Sequence, residues 1–210
     1  MGSLLVGPAN LFWMLIMGQR RVTKDRRIAT RIALEATALL SGAAILIPVA
    51  WTTAAFIQRC SRVPELVNVD SRLGRYFLSP SEAKLVRTKS HGLLVQPEPG
   101  DWPGVLLEDV WPDWRGYTAL AIDVTNPGLQ PTRLFVRIDD RRWDPGYPDR
   151  YNGQFQLAPQ TRRVLRIPLS EIRTAPKSQA MDLAHIQQIV LFEDGSAPTH
   201  AFYLNALRLE

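Results

Sequence analysis

The chain has a single cysteine, Cys60, so no intrachain disulfide can form. A lipidated cysteine needs small, apolar residues before it, and Gln58-Arg59 is not that context. Histidine is almost as scarce. His91, His185 and His200 are scattered, without the spacing of an HExxH zinc site, and no Ser-His-Asp order stands out. A Gly-rich phosphate loop, a fixed-period repeat and a low-complexity tract are also missing from the sequence. These absences remove disulfide scaffolds, zinc proteases, serine hydrolases and P-loop enzymes from consideration.

Net positive charge is also missing, except in one place. Arg20, Arg21, Lys24, Arg26, Arg27 and Arg31 lie within residues 19–31 against one acid, Asp25. That excess equals the net charge of +5 of the whole chain, so the remainder is balanced. The basic pI therefore describes a collar, not a surface for nucleic acid. Beside the collar, residues 36–57 run 22 positions without a charge. As a helix they cover roughly 33 Å, enough for a hydrocarbon core of about 30 Å. Trp51 suits an interfacial anchor and Pro48 is a candidate kink. The basic side of a span stays in the cytoplasm, so residues beyond 60 are expected outside, at a bacterial inner membrane. Residues 3–18 read as a short first span, as a re-entrant or interfacial segment, or as the tail of a larger membrane domain. A cleaved signal peptide fits poorly, because the apolar run exceeds the usual 7–15 residues.

The expected division is a membrane anchor over 1–60, a stalk or linker over 61–83 with one short helix, and an extracytoplasmic domain over 84–210. That domain reads as mainly β, an antiparallel β-sandwich of the jelly-roll kind. Period-two alternation recurs at 118–125, 132–139, 163–169, 188–192 and 201–209, between Pro, Gly, Asn and Asp punctuation. In 132–139, Leu134, Val136 and Ile138 face inward, with Phe135 and Arg137 outward. Residues 168–173 and 181–186 read as single helical turns.

The order WPGVLLEDVWPDWRGYTALAIDVTNPG, LFVRIDDRRW, YPDRYNGQFQLAPQTRRVLRIPLSEI, MDLAHIQQIVLF and FYLNALRLE resembles galactose-binding-like and carbohydrate-binding jelly rolls. It is similar, more closely, to the extracytoplasmic domain of some VanZ-like bacterial membrane proteins, over residues 91–209. The full VanZ-like membrane domain is not matched. The resemblance implies glycan recognition in the cell envelope. Glycans need aromatic faces for their rings and planar polar groups for their hydroxyls. Arg137, Asp140, Trp143, Tyr147, Asp149, Arg150, Tyr151 and Asn152 supply both, on what reads as a loop. Trp111 and Trp114 form a second group, and Trp102, beside Pro103-Gly104, reads as core. Asp149 and Arg150 serve equally as a loop-stitching pair. Acids clustered beside arginines look like a binding surface, so no catalytic residue and no enzyme activity is expected. No cofactor or metal site is assigned. A structural calcium of the kind similar modules carry is left open, although Asn205 stands where they often have Asp, which argues against it. The expected function is a membrane-anchored module recognising an envelope or exported polysaccharide. The alternative is a protein-interaction jelly roll docking on a membrane-protein partner.

Overall fold

The computed structural model describes residues 8–88, 92–141, 149–195 and 199–210. The chain divides into two units, residues 1–51 and 52–210. Helix α1 (Pro8–Arg62) is continuous over 55 residues, so residues 8–18 and the basic collar share one helix. Leu39, Leu40, Ile45, Leu46 and Ile47 are each 66–75% exposed. The segment Thr30–Arg62 is long and apolar enough to cross a membrane, by length and composition. A signal sequence near the N-terminus meets the same measure.

The second unit is a sandwich of two antiparallel sheets, as the alternation predicts. Eleven strands are assigned among the described residues: β1 (Glu65–Val67), β2 (Leu78–Ser81), β3 (Ala83–Arg87), β4 (Leu93–Pro97), β5 (Gly104–Leu107), β6 (Ala119–Asn126), β7 (Thr132–Asp140), β8 (Tyr151–Leu157), β9 (Thr161–Pro168), β10 (Ile186–Phe192) and β11 (Phe202–Leu209). One sheet has the order β3-β4-β11-β6-β9, with β1 also on β11. The other has the order β2-β5-β10-β7-β8. The inward rows Leu120-Ile122-Val124, Leu134-Val136-Ile138 and Leu165-Ile167 meet between them, each residue no more than 2% exposed. Burying such rows against each other is the main favourable term in holding the two layers together.

Two features depart from the sequence reading. Residues 61–83, read as a stalk, contain β1 and β2, which pair into the two sheets. Residues 181–185 form a turn leading into β10 and not a helix, because the Asp182 carboxylate accepts the Ala184 amide at 3.1 Å and offers the backbone another partner. The other expected helical turn is present as α2 (Leu169–Thr174), which buries Leu169 and Ile172.

Candidate functional site

The outer face of the five-stranded sheet carries a groove of about 590 Å³. Strand alternation and register build it. In β7 the residues between the buried Leu134, Val136 and Ile138 point outward, which places Phe135, Arg137 and Asp139 on this face. Pairing sets Phe135 opposite Phe192 of β10 and Gln154 of β8. Arg137 stands opposite Val190 and Asn152, and Asp139 opposite Gln188. Leu106 of β5 extends the second row beyond Val190.

Three rings form the apolar part. Phe135 and Phe192 stack with centroids 5.4 Å apart and planes 16° apart. Trp102 meets Phe192 edge-on at 5.4 Å and 88°. It is 55% exposed, so the sequence reading of Trp102 as core is corrected. The loop before β5 holds it out: the Trp102 amide donates to Glu82 Oε2 at 2.8 Å, and Ser81 Oγ donates to its carbonyl at 3.1 Å. Gly104 completes this arrangement. A Cβ there would lie within 3 Å of the Leu191 carbonyl and Phe192 Cβ, so only glycine lets β5 close on β10 at this point.

The polar part is a network held flat on the sheet. Arg137 Nε donates to Asp139 Oδ2 at 2.8 Å, and Gln188 Nε2 donates to the same oxygen at 2.6 Å. Asp139 is 1% exposed, so this buried carboxylate is satisfied by its neighbours and fixes both side chains. Arg150, Asn152, Ser81 and Asp194 complete the lining.

Of the residues proposed from sequence, Arg137, Arg150 and Asn152 come together in this groove. Tyr151 does not. It is a buried neighbour of the core whose hydroxyl donates to Glu171 Oε1 of α2 at 3.0 Å. Burial first, then the adjacent Glu171, push its phenol up from the usual range. Asp140 is buried and accepts the Asp182 amide at 2.6 Å. Asp149 accepts the amide and hydroxyl of Ser178, at 3.1 and 2.6 Å. Both carboxylates therefore stitch loops. Trp114 is fully buried, its indole N–H donating to the Trp111 carbonyl at 2.8 Å. Trp111 is half-buried and lines a different cavity. Trp143 and Tyr147 lie outside the described residues. Asn205 of β11 donates to Asp123 Oδ1 and Thr125 Oγ1 of the neighbouring β6, within the sheet that does not carry the groove. No group of three or more His, Cys, Asp or Glu side chains suited to a metal occurs among the described residues.

Phe192, Val190, Gln188 and Leu106 were not singled out from sequence. For Phe192, Val190 and Leu106 the signal is an apolar residue at a solvent-facing position of a strand, as at Phe135; Gln188 carries no such signal.

No family model matches the chain, and no curated protein gives a significant match. Solved structures do. The chain is similar to the agarase AgWH50C at 16% identity, with TM-score 0.55, over 70% of this chain and 24% of that one. An exo-beta-agarase gives the same TM-score and coverage at 14% identity. The chain thus spans about a quarter of the length of these two agarases. The family 11 carbohydrate-binding module of Clostridium thermocellum, solved with a beta-1,3-1,4-mixed-linked tetrasaccharide, aligns at 15% identity and TM-score 0.51. That match covers 69% of this chain and 94% of the module. At such identities the likeness is one of fold alone: the chain shares the two-sheet β-sandwich of these proteins.

Proposed function

We propose that the chain is a membrane-anchored carbohydrate-binding module that recognises an envelope or exported polysaccharide outside the cytoplasm. One observation carries the reading: the groove where Phe135, Phe192 and Trp102 stand beside Arg137, Gln188 and Asn152. Rings supply faces for the apolar sides of sugars, while fixed planar polar groups match their hydroxyls. The module of like fold that was solved with a tetrasaccharide supports it. So does the placement of the groove on a rigid sheet face, which lowers the ordering cost of binding. Binding is favoured over catalysis because Asp139, the carboxylate nearest Arg137, is already committed to two donors and is closed to solvent. The apolar helix supports the anchor, and the basic collar supports an outward-facing domain. The resemblance to VanZ-like extracytoplasmic domains belongs to the same reading and fits a role in the cell envelope.

The test is a glycan array probed with residues 63–210, followed by titration calorimetry with the best ligand. Saturable binding to a polysaccharide is expected. Failure of a folded protein to bind any glycan, including polymers of its own envelope, would overturn the reading.

A further inference from the structure

A second cavity, of about 750 Å³, differs from the groove in its chemistry. One wall is the last part of α1. Thr52, Phe56 and Arg59 recur at the i, i+4, i+7 spacing of a single helix face and line it together with Phe77, Trp111 and Ile186. Cations stand among these apolar walls. The Arg59 guanidinium lies 3.7 Å from the Phe77 ring centroid and 5.6 Å from that of Phe56, and Nη1 donates to the Asp109 carbonyl. A guanidinium has five N–H donors, so that bond leaves others for an oxyanion. Arg141, which is exposed, also lines the cavity, as does His185. Asp109 is the single carboxylate on the described lining. The two arginines therefore leave an excess of positive charge.

Position decides which anion fits. Ile57 ends the charge-free run, and Arg59 is the first charge after it. From Thr52 to Arg59 the helix rises about 10 Å, which covers the boundary between acyl chains and headgroups at the end of a span. Arginine binds phosphate oxygens in a planar fork, and aromatic rings settle at the same depth. We propose that this cavity seats the phosphodiester headgroup of an anionic phospholipid, held by Arg59 and Arg141. Phe56, Phe77 and Trp111 pack against its glycerol and first methylenes. The proposal rests on the reading of α1 as a membrane span.

The test uses the full chain. An alkaline wash of membranes comes first: a chain stripped from them overturns both the span and the headgroup site. With a retained chain, native mass spectrometry in detergent compares added phosphatidylglycerol, phosphatidylcholine and glycerol phosphate. Preferential retention of phosphatidylglycerol is expected. Arg59→Gln with Arg141→Gln should remove the preference, at roughly five-fold per arginine, the scale of one basic residue at an anionic surface. Arg141→Gln alone leaves the Arg59–Phe77 packing intact and should lose its share even if the double variant misfolds. Arg115→Gln is the control, since Arg115 is exposed, paired with Asp113 at 2.7 Å, and not part of the cavity lining. Equal loss in Arg115→Gln would show diffuse surface charge and overturn the site. So would an unchanged preference in Arg141→Gln. Competition by glycerol phosphate at equal concentration would assign a soluble phosphate instead and overturn the lipid.

Discussion

Phe192 touches both other rings of the groove, stacking on Phe135 and receiving the edge of Trp102. Its loss should therefore remove more binding than loss of either neighbour. Phe192→Ala is expected to weaken the best glycan by about 1–3 kcal/mol in calorimetry. Trp102→Ala, at a half-exposed position, should weaken it while leaving the melting temperature nearly unchanged. A collapse of the fold in Trp102→Ala would mean that this ring supports the sandwich rather than the ligand. One residue along, Glu193 behaves differently. It is 3% exposed, and among the described residues its Oε1 has no partner, while Oε2 accepts the His200 amide at 2.6 Å. Burial pushes its carboxyl up to about 7, against the opposing pull of that amide. A folded-state value above the unfolded one means the folded chain holds the proton longer, so stability falls as pH rises from about 4.5 to about 7. Glu193→Gln should raise the melting temperature at pH 8 and leave it nearly unchanged at pH 5, as thermal scans at the two values will show. The opposite sign holds for Asp123. Burial alone would raise its carboxyl, but hydrogen bonds from Arg162 and Asn205 outweigh it and leave a net lowering. Its contribution is present above the ordinary carboxylate range and is lost on acidification.

Among the elements, β6, β7, β9, β10 and β11 were legible in the sequence, because each is seven to nine residues long with a clear two-residue period. Strands β1 to β5 were not, being three to five residues long and carrying Pro80, Pro97 and Gly104. Runs so short do not establish a period; their place is fixed by the longer strands they pair with. Strand β8 was hidden for another reason. Gly153 stands in its inward row, where the Tyr151 side chain lies across it and a Cβ would come within 2.4 Å of the tyrosine oxygen. A gap in the apolar row reads as a turn, so Tyr151 and Asn152 group by sequence with the preceding polar segment. The site was legible to the same extent. Arg137, Arg150 and Asn152 have the chemistry of a sugar site and do line the groove, whereas Tyr151 and Asp140 have it equally and serve packing and loop closure. Residue type marks a surface that is able to bind. Strand register decides which of those residues share a face.

For the whole molecule, the strands within 61–83 bear on where an independent domain begins. β1 pairs with β11, β2 pairs with β5, and the Leu209 amide donates to the Pro64 carbonyl at 2.9 Å. A fragment starting at residue 84 loses these bonds and lacks Leu66, Val67 and Val69, which uncovers the core they pack against. Residues 63–210 should accordingly unfold at clearly higher urea than residues 84–210, with a cooperative transition followed by circular dichroism. Equal midpoints would return 61–83 to the role of a stalk. The closed Arg137–Asp139 pair has a consequence for the medium in which the molecule works. Because the guanidinium is neutralised by its own sheet, an uncharged ligand entering the groove displaces no mobile counterions. Affinity measured from low salt to several times physiological strength should then drift by less than about two-fold, whereas a charged polymer would give a steep logarithmic slope. If the groove takes a neutral polymer as proposed, its grip should differ little between fresh water and brine.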